Sequence, residues 1–209
     1  MEKSVINLLT IFPDAVKSYL SVGMLGKAGE KELVEYNVVD LRDFAENRHR
    51  QVDDIPYGGG PGMVMMAPVV VSAIESLKCP GEIILMSPAG EKFTQQTAKE
   101  MSGRNLTFIC GRYAGVDERV KKYIHREISV GDYILSGGEL AALTVLEASV
   151  RLTPGVLGDA RSSQEDKGYP LYTRPRNFRG MEVPEILLSG NHKKIDNFRE
   201  QEAKYDYDD

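Results

Sequence analysis

Ile128-Ser-Val-Gly-Asp-Tyr-Ile-Leu-Ser-Gly-Gly-Glu139 is the stretch that decides the fold. It reads as a short strand, Ile128 to Leu135, that meets glycines and then enters a helical run from Leu140 to Arg151. Strand ends with glycines before a helix are where α/β proteins hold ligands. Gly131, Gly137 and Gly138 let backbone groups approach a ligand that a Cβ would exclude. The spacing matches neither the dinucleotide fingerprint nor a Walker A loop, and no Lys follows to grip a phosphate. The loop suits a nucleoside-like cofactor with a small polar tail better than a triphosphate.

Two further glycine clusters have the same character. Tyr57-Gly-Gly-Gly-Pro-Gly-Met63 precedes a helical pattern from Pro68 to Leu77. Cys110-Gly-Arg-Tyr-Ala-Gly115 follows the apolar run Leu106 to Cys110. Each cluster alone reads as a tight turn. Three of them, each with Tyr, Arg or Asp beside the glycines, point to a shared binding surface.

Outward from these loops, strand-like and helix-like runs alternate. Ser4 to Ile11, Leu33 to Leu41, Glu82 to Met86 and Leu106 to Cys110 are apolar and β-prone. Ser87-Pro-Ala-Gly90 is expected to stop the third of these. Helices are expected from Pro13 to Leu20, from Thr94 to Met101 with Thr94 as N-cap, and from Val116 to Ile124. This alternation predicts an α/β domain with a mostly parallel sheet over residues 1–157. Residues 158–170 are polar and aperiodic and read as a mobile interdomain linker. Residues 171–209 form a small second region, too short for a large core of its own. Its helix is expected to run from Lys193 to Ala203.

Composition narrows the class. The chain has 209 residues, 42% hydrophobic and 27% charged, as in ordinary soluble globular proteins. No apolar run approaches membrane-span length, and the N-terminus lacks a signal-peptide core, so a cytoplasmic protein without membrane partners is expected. Cys79 and Cys110 read as buried thiols, and His49, His125 and His192 lack zinc spacing, so no metal ligand set is assigned. A net charge of -5 excludes a generic nucleic-acid coat protein. Residues 167–199 are nevertheless +4, and Arg48-His49-Arg50 forms a second basic knot. Local basic patches on an acidic chain fit a site that grips a few phosphates. Lys121-Lys122 reads as a solvated face.

The clusters also carry a resemblance. Arg48-His-Arg-Gln-Val-Asp-Asp54, Tyr57 to Met63, Leu85-Met-Ser-Pro88, Cys110-Gly-Arg-Tyr113, Val116-Asp-Glu-Arg119, Gly131 to Leu140, Pro154-Gly-Val156, Tyr172-Thr-Arg-Pro175 and Leu187-Leu-Ser-Gly-Asn-His192 run in order over nearly the whole chain. Together they resemble the bacterial tRNA (guanine-N1)-methyltransferases, the TrmD family of the SPOUT class. The resemblance implies a deep trefoil knot in the cofactor-binding half, which sequence reasoning would not propose because threaded chains are so rare. It also implies an obligate homodimer with interfacial active sites, and methylation of N1 of guanosine 37 of tRNA, after a guanosine.

Carried over by position, the resemblance gives S-adenosylmethionine to Met86, Ser87, Pro88, Gly111, Tyr113, Val130, Gly131, Asp132, Tyr133, Ile134, Leu135, Gly137 and Gly138. It makes Asp166 the general base and Arg151 its catalytic partner, with Glu165 the rival base. It places His49, Asp53, Gly58, Gly59, Gly60, Pro61, Gly62 and Arg112 on the tRNA-facing surface. These types suit the chemistry. N1 of neutral guanine holds a proton that a carboxylate can take, and a guanidinium can stabilise charge growing on O6.

Three features depart from the family pattern. Ala114 stands where the family usually has glutamate after Cys-Gly-Arg-Tyr, so a magnesium site built on that residue loses its oxygen ligand. The stretch between Asp166 and Tyr172 is shorter than usual. The chain ends at an acidic Asp206-Tyr-Asp-Asp209 where the family continues with basic helices, implying a shortened tRNA-binding region. Two rival functions stay open: a related knotted enzyme for another RNA, and a non-catalytic RNA-binding protein.

Overall fold

The apolar runs of the N-terminal part form a parallel sheet in the computed structural model, which describes residues 3–157 and 168–203. In chain order the elements are β1 (Ser4–Thr10), α1 (Pro13–Leu20), α2 (Gly23–Glu30), β2 (Val34–Asp40), β3 (Asp53–Asp54), β4 (Val64–Met65), α3 (Ala67–Glu75), β5 (Glu82–Lys92), α4 (Gln95–Met101), β6 (Leu106–Cys110), β7 (Arg126–Ser129) and α5 (Glu139–Val150). The sheet order is β2-β1-β6-β5-β7, and every neighbouring pair is parallel. β3 and β4 pair separately as a short antiparallel ribbon.

Alternation along the strands builds two apolar layers. Ile6, Leu8, Ile84, Leu106, Phe108 and Ile128 face α1, α2 and α5. Leu9, Ile83, Leu85 and Ile109 face α3. All of β6 is buried, as a central parallel strand requires. Truncating the fully buried Phe108 to alanine should cost about 3–5 kcal/mol.

Several boundaries differ from the sequence expectation. β5 does not stop at Ser87-Pro-Ala-Gly90. It bulges there and rejoins β7, so that Ile128 pairs first with Met86 and then with Glu91. Pro88 sits inside the bulge, where its missing N–H breaks no ladder bond. A Cβ on Gly90 would lie 2.5 Å from the backbone of Glu127, so only glycine lets the strand rejoin. The strand expected from Ile128 to Leu135 ends at Ser129. Ser129 Oγ donates to the Gly131 carbonyl at 3.0 Å and Tyr133 N–H donates to the same oxygen at 3.0 Å, turning the chain out of the sheet. Val116 to Ile124 is not an α-helix. A 3₁₀ helix covers Glu118–Tyr123, started by the Asp117 carboxylate, which accepts from Arg119 N–H.

Thr94 does cap α4, accepting from Thr97 N–H at 3.2 Å. Helix α2 was not expected, because Gly23, Gly26 and Gly29 oppose helix formation. Burial of Leu25 and Ala28 against the sheet layer overrides that propensity.

Contacts divide the chain into units of residues 1–160 and 161–209. In the second unit, β8 (Asn177–Phe178) and β9 (Met181–Glu182) form a hairpin, followed by α6 (Glu185–Leu188) and α7 (His192–Gln201). Arg179 and Gly180 both have positive φ, as a two-residue hairpin turn demands. Asn191 caps α7 by accepting from Lys194 N–H at 3.2 Å.

Candidate cofactor cavity

The C-terminal ends of β5, β6 and β7 open onto a cavity of ≈ 450 Å³. Parallel sheets place ligand sites there because the strands end in loops that only their neighbours constrain. One wall is the β5 bulge with Met86, Ser87 and Pro88. A second is Gly111 to Val116 after β6. The third is the loop after β7, with Val130, Gly131, Tyr133, Ile134, Leu135, Gly137 and Gly138. Of the residues expected to hold a cofactor, only Asp132 stays outside; it pairs with Lys92 at 2.5 Å on the exposed surface.

The two inner walls touch through bare backbone. Gly138 N–H donates to the Gly111 carbonyl at 2.8 Å, and Arg112 bridges to Gly137. A Cβ on Gly138 would fall 2.9 Å from Cys110 Cα and 3.1 Å from Met86 Cβ. Gly138 has φ -81, so the glycine is needed for space and not for a left-handed backbone. These glycines let the two walls pack backbone against backbone and so set the inner shape of the cavity. Its size and mixed lining suit a nucleoside-like cofactor such as S-adenosylmethionine.

Tyr113 stands at the mouth in a left-handed conformation, φ +61, that a non-glycine residue rarely adopts. Burial, then the negative charge of Asp53, pushes its hydroxyl above the usual tyrosine value, so it stays protonated at neutral pH. Asp53 begins β3, and β4 is stapled to the cavity wall: Ala114 N–H donates to Met63 O at 2.8 Å and Met65 N–H to Gly115 O at 2.9 Å. The Gly58 to Gly62 loop therefore adjoins Ala114; a Cβ on Gly62 would sit 3.1 Å from that of Ala114. Gly58, Gly59 and Gly60 have positive φ and open space around them, and Pro61 is exposed. Arg112 lines the cavity itself. His49 lies farther back in an exposed turn, where its N–H donates to Asn47 Oδ1 at 3.1 Å. The neighbouring Arg50 is engaged by Asp43 and Asp40, so part of that basic knot is already neutralised.

Arg151 is not at the cavity. It follows α5, whose other end carries Gly138. Twelve helical residues separate the two by roughly 18 Å at 1.5 Å per residue. Asp166 and Glu165 lie outside the described residues.

Two charged residues, one lining the cavity and one buried behind its wall, were not singled out by the sequence reading. Lys121, read as a solvated face, lines the cavity and bridges Glu118 at 3.0 Å and Glu127 at 3.1 Å. Glu139, first residue of α5, is buried and binds both Thr10 and Arg112. A charged residue directly after paired glycines was the available signal. Among the described residues, no three of His, Cys, Asp and Glu gather in a way able to hold a metal ion. No described helix is long and apolar enough to cross a membrane.

Comparison with known proteins agrees with this geometry. Residues 4–207 match the family model described as tRNA (Guanine-1)-methyltransferase TrmD. A tRNA (guanine-N(1)-)-methyltransferase of Dictyoglomus turgidum is 53% identical over 206 residues, covering 95% of this chain and 84% of the relative. The enzyme of the same name from Thermus thermophilus is 50% identical over 94% of this chain and 85% of its own length. That of Bacillus cereus is 46% identical over 95% and 86%. With its glycine-lined cavity at the ends of parallel strands and this similarity along its length, the chain belongs to the tRNA (guanine-1)-methyltransferase family TrmD.

Proposed function

We propose that the protein transfers a methyl group from S-adenosylmethionine to N1 of guanosine 37 of tRNA. The observation that carries this is the cavity of ≈ 450 Å³, which gathers all but one of the residues expected to hold the cofactor. S-adenosylmethionine supplies an activated methyl on its sulfonium. The protein's part is to hold that methyl in line with N1, exclude water and move one proton. Backbone groups of the segments around Met86, Gly111 and Gly131 to Gly138, which line the cavity, would meet the adenine and ribose edges. Tyr113, Arg112 and the Gly58 to Gly62 loop offer the rim on which an extruded base would rest.

In this mechanism Asp166 would accept the N1 proton as the methyl–nitrogen bond forms and the methyl–sulfur bond breaks, the sulfonium leaving as a neutral thioether, a contribution worth ~10²–10⁴-fold. Arg151 holds the charge that develops on O6. The separation of Arg151 from the cavity within one chain favours a homodimer in which one protomer's Arg151 serves its partner's cavity. Exposed apolar residues at the start of α5 and in the loop before it favour it too: Ile134 is 87% exposed and Leu140 67%. The SPOUT trefoil knot belongs to the same proposal, supported by the return of the 130–138 loop to the segment after β6. The second unit would grip tRNA, with Arg174, Arg176 and Arg199 around a cavity of its own of ≈ 460 Å³. A cytoplasmic location accords with that substrate.

The test is mass mapping of tRNA after incubation with the protein and S-adenosylmethionine. The expected product is 1-methylguanosine at position 37. Methylation of another position would make this a related RNA methyltransferase, and no product would leave an RNA-binding protein.

A further inference from the structure

Glu139 is a buried charge that the proposed methyl transfer does not use. Its side chain is 7% exposed, and a carboxylate taken that far from water must be repaid by partners. Its side-chain partners come from two separate parts of the chain, and its own helix adds to them. Oε1 accepts the Thr10 hydroxyl at 2.8 Å, at the C-terminal end of β1. Oε2 accepts Arg112 Nε at 2.8 Å, from the segment after β6. Its own backbone opens α5, where the helix dipole favours an anion.

The Arg112 side chain held in this way is itself a wall. A Cβ on Gly137 would fall 2.0 Å from Nε and 2.5 Å from Cζ, so the Gly137 backbone lies directly against the Arg112 side chain. Nη1 points at the Ser136 carbonyl at 3.4 Å, and the Phe12 ring faces the guanidinium at 4.5 Å. The Phe12 N–H in turn donates to Thr10 Oγ1 at 2.9 Å. Arg112 is thus held at Nε by Glu139, over its guanidinium by the Phe12 ring, and beside it by the Ser136–Gly137 backbone.

We infer that Glu139 is a positioning residue: through Arg112 it sets the Ser136–Gly138 backbone that forms the inner wall of the cofactor cavity. The inference rests on the cavity being the S-adenosylmethionine site. Without the carboxylate, Arg112 loses the one charged partner it has among the described residues, and a guanidinium with free torsions then swings toward water. The glycine backbone that lies on it loses its backing. Thr10 and β1 keep the sheet in register independently, through pairing of Ser4 to Thr10 with β2. The cost therefore falls on the cavity wall more than on the sheet.

Calorimetric titration of the full-length protein with S-adenosylmethionine tests this. Glu139→Ala should weaken binding at least tenfold, and Glu139→Gln, which keeps the shape and one acceptor, by a smaller factor. Val145→Ala, a core truncation of the same helix, controls for loss of stability: at a temperature where all variants are folded it should bind within twofold of wild type. In an Arg112→Lys background, Glu139→Gln should add less than twofold, since lysine lacks the Nε that Glu139 orients. If Glu139→Ala does not fold, the Glu139→Gln comparison in the two backgrounds decides. Unchanged affinity in the Glu139 variants, or equal losses in both backgrounds, overturns the inference and leaves the cofactor site standing. No binding by the wild-type protein overturns both.

Discussion

The Gly138 N–H reaches the Gly111 carbonyl across 2.8 Å, and this contact welds the loop after β7 to the segment after β6. Both positions are crowded, Gly138 by backbone and Gly111 by a neighbouring side chain. A Cβ on Gly111 would touch Val116 Cγ2 at 3.0 Å, and one on Gly138 would meet the Cys110 and Gly111 backbone at 2.9 and 3.0 Å.

Gly138→Val is expected to abolish detectable S-adenosylmethionine binding, because the clash is with backbone that cannot rotate away. Overpacking of this kind also costs about 1–3 kcal/mol of stability. Titration calorimetry on the folded variant checks it, and wild-type affinity there would remove this cavity from consideration.

Asp166→Asn should lower single-turnover methyl transfer by ~10²-fold or more, with cofactor affinity within a few-fold of wild type. An amide cannot take the N1 proton, but the substitution leaves the glycine-lined cavity itself unchanged in sequence. Near-normal turnover would shift the base to Glu165. Arg151→Ala should show the same pattern, loss of rate with cofactor binding retained, since Arg151 stands outside the cavity lining.

Leu140→Asp should dissociate the proposed homodimer and lower methyl transfer together. The side chain is 67% exposed, so the substitution leaves the core intact. Light scattering should give twice the 23.2 kDa chain mass for wild type and the single mass for the variant. An active species at the single mass would rule the dimer out.

Methylation should persist in excess chelator when the tRNA is folded beforehand. Ala114 is exposed at the cavity and carries no oxygen ligand, while Mg²⁺ requires hard oxygen donors. Ala114→Glu should restore a response to magnesium in single-turnover rates. Complete loss of wild-type activity on chelation would show that other ligands hold the ion.

Acid should act on Asp117. Its carboxylate takes Arg119 Nε at 2.9 Å and Nη2 at 2.6 Å, which holds it below its ordinary value of 3.8. A folded-state value below the unfolded one contributes stability that is present above 3.8 and lost as the pH falls through the folded value. Asp117→Asn should be slightly less stable than wild type at neutral pH, and the gap in melting temperature should close below pH 3.8. A gap that stays constant into acid would dissociate the carboxylate from this stability.

Sequence by itself determined the class of fold, the family and most of the cavity lining. Strand and helix periods, Thr94 as a cap and the glycine clusters are local, so each was legible where it stood. The resemblance carried the cofactor positions, and all but Asp132 converge on one cavity. Tertiary structure alone decided how the ends of elements behave. Whether β5 stops at Pro88 or bulges past it depends on β7 offering Ile128 twice, a partner distant in sequence. Whether Val130 to Leu135 continues a strand depends on the Ser129 and Gly131 turn and on the walls that hold the loop. The role of Glu139 was hidden for the same reason. A carboxylate after two glycines marks the position, but its role shows only when β1 and β6 bring Thr10 and Arg112 to its oxygens and burial requires a partner for its charge.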